Sequence, residues 1–283
     1  MEENQSGQQI FVKKASGELV PYIPEKLRLS LFKAGAKQEV IDRIAAQVES
    51  ELTPEMTTNR IYQRAFTLLR RESRPDAARY KLKRAIMELG PSGYPFEQYT
   101  GELLKRQGFD VEVGVMVQGK CIMHEVDVLG DDGHHRVAVE CKFGNKAGKK
   151  LDVKVALYIQ ARFLDIAARW AQLPAHEGKT FEGWIVTNAE FTQDALTFGT
   201  CAGLHLISWN FPEKGNLKQL VENTRLYPVT ALTSITKKEK QELLSQGTVL
   251  AHDLLMDEKK IDQFELTKTR KQKAMDEIHH LCG

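Results

Sequence analysis

The sequence predicts an α/β protein with a small, mostly helical N-terminal region, a central mixed sheet flanked by helices, and a helical C-terminal tail. Two observations carry that prediction. Apolar residues recur at helical spacing through 24–89, whereas over 96–208 apolar runs of period two alternate with runs of period 3.6. A third, the more polar helical pattern of 212–283, sets off the tail. The chain has 283 residues, 42% hydrophobic and 28% charged, a globular composition that excludes disordered, collagenous and disulfide-stapled classes. Lys+Arg at 40 against Asp+Glu at 38 leaves a formal charge of +2, so no global field points to a polyanion and any nucleic-acid surface has to be local. No apolar run approaches the roughly 18–20 residues of a membrane span, and the start MEENQSGQQ lacks the basic-then-apolar layout of a secretion signal, so a cytoplasmic protein is expected.

The elements follow in order. Ile10-Phe11-Val12, Ser16-Gly17 and Leu19-Val20 predict a hairpin ending at Pro21, with the glycine supplying the turn. Pro24 opens a helix with Leu27, Leu29, Leu31 and Phe32; Ile41, Ile44, Ala45 and Val48 mark a second. Thr57-Thr58 start a third, and Pro75 a fourth that carries Ala77, Ala78, Leu82, Ala85, Ile86 and Leu89. Gly90-Pro91-Ser92-Gly93 concentrates residues that end helices and is the expected domain boundary. Beyond it, Phe96, Tyr99, Leu103 and Leu104 fit a helix, and Phe109, Val111, Val113, Val115 and Val117 alternate as in a half-buried strand. Strands at 126–129 and 137–143 are joined through the turn Asp131-Asp132-Gly133. A long helix over 152–173, a strand at 181–187, a helix at 192–201 and a strand at 204–208 complete the region. No internal repeat or low-complexity segment appears. Cys121, Cys141, Cys201 and Cys282 form no CxxC pair, which predicts reduced thiols, three of them in apolar surroundings.

The middle region carries the chemistry. Asp127 lies in the strand HEVDVLG, and Glu140 and Lys142 lie two apart in VAVECKF, so they project from one face while Cys141 points to the other. If the two strands are neighbours, Asp127 and Glu140 can converge on one divalent cation, with the carbonyl of Cys141 as a further hard oxygen. Lys142 beside them would orient or help deprotonate a water. Glu-x-Lys alone is weak and recurs at Glu258–Lys260 in a charged helical stretch. Preceded by an Asp on a strand and a turn, it is specific. The alternative reading makes Asp127 and Glu140 edge-strand charges paired with lysines. His124, opening a strand, reads as structural or DNA-facing before it reads as a base. GNKAGKK at 144–150 has one residue too few between its glycines for a phosphate loop and lacks the following Ser/Thr. Its Lys146, Lys149 and Lys150, with Lys154, suit phosphate contacts that position a duplex.

FEQYTGELLKRQGFDVEV, HEVDVLG and VAVECKF together resemble the PD-(D/E)xK nuclease superfamily and its Mrr-type restriction-endonuclease branch, over about residues 93–210. The resemblance implies a restriction-endonuclease-like core, with Asp127, Glu140 and Lys142 at the family's catalytic positions and magnesium or manganese as cofactor. It implies Glu97, eleven residues before Gly108, as the first-helix glutamate that completes the metal site, and Gln160 as an active-site glutamine of the following helix. Glu102 is an alternative to Glu97 that fits a solvated helix face better. Val126 stands in place of the Pro of the name.

VKKASGELVPY, PEKL, TTNRIY and AARYKLKR are similar, in that order, to the ATP-cone, a small regulatory nucleotide-binding domain, over about residues 9–90. The likeness implies a hairpin and helical bundle that binds ATP or dATP without hydrolysing it. Val12, Lys14 and Lys26 would meet base or phosphates, Thr58 would lie in the pocket, and Lys81 or Arg84 would close it. Ala15 and Ser16 depart from the cone pattern, and Lys13 would compensate. VTALTSITKKEKQELLSQGTVLAHDLL, within 212–283, is similar to a helix-hairpin-helix module, with a plain helical cap as the equal alternative. The basic run TKTRKQK at 267–273 reads first as a solvated helix face.

The expectation is therefore a magnesium-dependent DNA endonuclease regulated by ATP or dATP, a homodimer by base rate. A nucleotide-responsive DNA-binding regulator with an inactive nuclease fold is the alternative. A regulatory subunit of nucleotide reduction would leave the middle region unexplained.

Overall fold

The computed structural model describes residues 9–146 and 148–283. They form two compact units that divide between Lys81 and Leu82.

In the first unit, β1 (Phe11–Lys13) and β2 (Leu19–Pro21) pair antiparallel, Val12 opposite Val20, across a turn in which Gly17 has φ +90°. Four helices follow: α1 (Pro24–Lys33), α2 (Gln38–Ser50), α3 (Thr58–Glu72) and α4 (Arg74–Tyr80). The two later starts are specified locally, since Thr57 accepts the Arg60 N–H and Ser73 that of Asp76. Val12, Leu27, Leu31, Ile41, Ile44, Val48, Ile61 and Leu69 share one core. Lys13 bridges to Thr57 by a backbone bond to Met56, which joins the hairpin to the start of α3.

The sequence predicts one helix from Pro75 to Leu89, but the helix breaks at Lys81, whose φ −88° and ψ 3° leave the helical region. Tertiary packing explains the break. Ala77 belongs to the first core, whereas in α5 (Leu82–Met87) the carbonyl of Ala85 accepts the Thr230 hydroxyl at 2.6 Å.

The second unit is built on a five-stranded mixed sheet in the order β3-β4-β5-β7-β9, running from Asp110–Gln118 through Met123–Asp131, His135–Lys142 and Thr180–Thr187 to His205–Ile207. The first three strands are antiparallel and the last three parallel. A parallel neighbour needs a crossover, supplied here by α7 (Val153–Trp170) and α8 (Gln193–Cys201), with α6 (Tyr94–Lys105) preceding β3. A two-residue parallel pair, β6 (Lys150–Leu151) with β8 (Glu190–Phe191), escapes sequence reading because two residues carry no periodicity. α6 lies so close to the sheet that a Cβ at Gly101 would sit 3.0 Å from Val113. α7 packs Ile166 and Trp170 on Val126, Leu129 and Ala138.

The alternation read for β3 does not stay on one face. Val111 and Val113 face α6, but Val115 and Val117 join the cluster under α7. The change falls at Gly114, whose φ of +66° is costly for any residue with a Cβ. In β4, likewise, Val126 joins the α7 cluster and Val128 lies by α6. Since Val113 pairs with Val128 and Val115 with Val126, Gly114 sits opposite Asp127, and both strands switch faces at that acid.

The turn before β4 is anchored by Asp165 of α7, which accepts the Cys121 N–H at 2.8 Å and pairs with His124 at 2.8 Å. A Cβ at Gly119 would lie 2.1 Å from that carboxylate, so glycine is required there. His124, 8% exposed, is thus a structural latch. Of the cysteines, Cys141 is buried and Cys282 partly so, but Cys121 and Cys201 are exposed, two apolar sites where three were expected.

The last segment holds α9 (Leu217–Thr224), α10 (Lys237–Ser245), α11 (Asp253–Met256), α12 (Lys259–Asp262) and α13 (Lys268–Cys282). It is fastened to α6, whose Tyr99 hydroxyl donates to the carbonyl of Leu226 at 2.6 Å. Glu277, 1% exposed, accepts the N–H groups of Thr233 and Ser234 at 2.7 and 2.9 Å. Gly247 (φ +77°) ends α10: its N–H bonds Leu244 and that of Thr248 bonds Leu243. Those N–H groups therefore serve the helix. In the basic run, Arg270 is paired with Glu239, and Lys271 with Glu258 and Asp262. Among the described residues no helix is long and apolar enough to cross a membrane.

Candidate active site

The site forms where β4 and β5 run side by side. The paired register ends at Val128–Val139, one residue short of Asp127 on one strand and of Glu140 on the other. Asp127 Oδ2 accepts the Cys141 N–H at 2.7 Å, which fixes one carboxylate oxygen against the neighbouring strand. The end of β5 is held from the other side: Thr187 of β7 donates to the Lys142 carbonyl at 2.6 Å, and buried Asn188 bonds both the N–H and the C=O of Gly144.

Glu140 is 7% exposed, and both of its oxygens are engaged. Oε1 takes the Lys142 ammonium and Oε2 the Arg162 guanidinium, the latter at 2.6 Å. Arg162 also donates to the carbonyl of Glu125 and lies 5.4 Å from the centre of the Tyr158 ring, one helical turn back on α7.

Two further carboxyls feel this cluster. Burial, then the charge of Glu140, pushes Asp127 up to about 6 against the opposing pull of the Cys141 N–H, Lys142 and Arg162. Glu97, in the first turn of α6, is pushed up to about 7 by burial, then by Asp127, Glu125 and Glu140, with Lys142 opposing. Acids that resist ionising together are what a cation relieves. Asp127, Glu140 and the Cys141 carbonyl offer hard oxygens that fit a small divalent ion. The Cys141 thiol is buried, and burial raises it well above its ordinary range. Among the described residues no three or more His, Cys, Asp or Glu are gathered closely enough to hold an ion. As arranged, the Glu140 carboxylate is closed by its two cationic partners.

The other residues singled out from sequence divide clearly. Gln160 lies on α7, its Oε1 buried without a hydrogen-bond partner. Glu102 pairs with Lys105 at 2.7 Å, an ordinary helix-surface contact. Lys146, Lys149, Lys150 and Lys154 are exposed, with Lys150 3.9 Å from Glu190. In the first unit Val12 is a core residue, Lys13 is tied to the start of α3 through its backbone, and Lys14 pairs with Glu18 at 2.9 Å. Lys26 lies in the first turn of α1 and Thr58 opens α3. Lys81 ends this unit, while Arg84 belongs to the second, 4.0 Å from Glu88. Sequence reasoning missed Arg162 and Glu125. A lone arginine in the apolar half of VKVALYIQARFLDIAARW, one turn after Tyr158, was the available signal for Arg162.

A family described as AF1548-like, C-terminal, matches residues 227–282. An uncharacterized protein of Archaeoglobus fulgidus is 32% identical over 182 residues, covering 64% of this chain and 98% of that one. The crystal structure of the protein of unknown function AF1548 is similar with a TM-score of 0.52 and 32% identity, over 67% of this chain and 96% of that one. MspJI restriction endonuclease, solved with a 27-mer oligonucleotide, gives a TM-score of 0.29 at 15% identity, over 59% of this chain and 40% of that one, too slight to establish a shared fold. With a relative of this identity matched over nearly its whole length, the chain belongs to the AF1548 family.

Proposed function

We propose that the protein is a magnesium- or manganese-dependent DNA endonuclease with a PD-(D/E)xK active site, regulated by ATP or dATP at an N-terminal ATP-cone. One observation carries the reading: Asp127, on the strand beside Glu140, accepts the N–H of the next residue, Cys141, while the Lys142 ammonium lies on the Glu140 carboxylate. Asp127 and Glu140, with the Cys141 carbonyl, would hold the ion. When bound, it would neutralise charge on the scissile phosphate and acidify the attacking water. Lys142 orients that water. Glu97, about half protonated near neutral pH, is suited to take its proton. Gln160 supplies a further polar contact through its unsatisfied oxygen. Lys146, Lys149, Lys150 and Lys154 hold the duplex by its phosphates.

In the first unit, Lys13, Lys14 and Lys26 would provide positive charge for a triphosphate near Thr58, with Val12 in the core behind the hairpin and Lys81 largely buried at the end of the unit. Cutting both strands at one place requires two sites, which a homodimer would supply. A second reading, a DNA-binding regulator without chemistry, is favoured by one feature: both oxygens of Glu140 are already taken by Lys142 and Arg162.

The deciding assay incubates supercoiled plasmid and branched DNA with magnesium, with and without ATP or dATP. Nicking that is lost in Asp127→Ala and Lys142→Ala supports the nuclease. DNA binding without cutting on any substrate supports the regulator. Calorimetry with ATP and dATP at millimolar concentration tests the cone, and no heat of binding there removes it.

A further inference from the structure

The residue that closes Glu140 is the one that sequence reasoning passed over. Arg162 is 16% exposed in its side chain, and its fork is divided between the Glu140 carboxylate and the Glu125 carbonyl. Its guanidinium lies by the ring of Tyr158, itself 60% exposed, so the cation is poised at the border between the buried acid and solvent. Beneath it, a cavity of about 20 Å³ is lined by Glu140 and Arg162 themselves and otherwise by apolar residues, among them Val126, Ile159, Phe163 and Ile166, so apart from Glu140 it offers the charged head no polar partner. Any movement of Arg162 therefore goes outward, along the tyrosine ring.

Glu140 cannot present both oxygens to a cation while each is bonded to a protein cation. Of the two partners, Lys142 sits on the same strand two residues away, and its main-chain carbonyl accepts the Thr187 hydroxyl. Arg162 reaches in from a different element and has the planar fork that matches phosphate. We propose that Arg162 is an exchangeable clamp: it holds Glu140 closed in the metal-free protein and, once a divalent ion takes its place on Glu140 Oε2, turns outward to bind the phosphate backbone. The inference rests on the nuclease reading of the same site. It assigns the arginine two successive partners, carboxylate and then phosphate, and makes closure of the site reversible by metal.

The test measures binding apart from cleavage. Titration calorimetry of Mn²⁺ into the full chain without DNA compares wild type, Arg162→Met and Arg162→Lys. Removing the competitor should tighten Mn²⁺ binding about 3- to 10-fold in Arg162→Met, whereas Arg162→Lys, which keeps a charge on Glu140, should stay near wild type. The salt dependence of binding to a duplex oligonucleotide supplies the second readout. In calcium the slope of log K against log salt should fall by about 0.9 in Arg162→Met, one phosphate contact, but should not change in EDTA, where the arginine is occupied by Glu140. Plasmid nicking by Arg162→Met should slow at least about 10-fold despite the tighter metal.

Unchanged or weaker Mn²⁺ binding in a folded Arg162→Met, or a slope that falls equally in calcium and EDTA, overturns the clamp while leaving the nuclease standing. A wild type that neither binds Mn²⁺ nor nicks DNA overturns both. If Arg162→Met does not fold, Arg162→Gln, which is neutral and keeps hydrogen-bonding capacity toward the Glu125 carbonyl, carries the same comparison.

Discussion

Two groups of buried and half-buried acids in the second unit are treated in opposite ways. Where the end of β5 lies beside the middle of β4, Asp127 and Glu97 feel the charge of Glu140, and their carboxyls are held above the usual range by burial and mutual repulsion. In the C-terminal helices, Glu277 receives two backbone N–H bonds. Glu239 is held below the usual range by the Arg270 fork and the Thr236 cap, which outweigh its burial. The second group is satisfied by the chain itself and stabilises the fold. In the first, Asp127 and Glu97 are left with burial and mutual repulsion only partly offset by Lys142, the Arg162 guanidinium and the Cys141 N–H.

Asp127→Ala should abolish nicking, a loss of at least about 10³-fold or roughly 4 kcal/mol of barrier, without lowering the thermal midpoint in metal-free buffer. A large fall in that midpoint would make Asp127 a structural acid like Glu277. Glu277→Ala, by contrast, should leave metal binding untouched and cost about 3 kcal/mol in urea unfolding, since two buried N–H groups lose their acceptor; a loss below about 1 kcal/mol would remove it from the scaffold.

The two groups should also answer pH in opposite directions. Asp127 and Glu97 are raised in the folded state, so the unfolded chain gives up those protons first. Their contribution makes metal-free stability fall as pH rises from about 4 to about 7. Glu239 is depressed, so its contribution is full above the ordinary carboxylate range and lost as pH falls below it. Melting curves of Asp127→Asn from pH 4 to 8 should therefore rise above wild type by a few degrees at pH 8 and approach it towards pH 4. An equal offset at both ends would show that charge is not the cause. The smallest effect expected is that of Arg270→Met, about 1 kcal/mol from a partly exposed ion pair, measured in the same urea titration and abolished when Glu239 is replaced by Gln.

The longer strands and helices from Phe96 to Ser208 were legible because each carries its own periodicity, and the pair Glu140 and Lys142 because a strand puts i and i+2 on one face. Asp127 was legible only as an acid in a strand. That it bonds the Cys141 N–H beside Glu140 depended on how β4 runs against β5. The switch of faces at Gly114 and Asp127, the break of the helix at Lys81, and the pairing of Arg270 and Lys271 all come from packing between segments distant in sequence, which no local pattern encodes.

By itself, then, the sequence determined the class of fold, the candidate acids and the lysine beside them, because backbone periodicity and residue chemistry are local properties. Tertiary structure alone decided that Arg162, on a helix 22 residues beyond Glu140, closes the carboxylate, and that Glu97 joins the same field of charge. The physical reason is that Coulomb and hydrogen-bond energies depend on distance in space, and only folding makes distant residues neighbours.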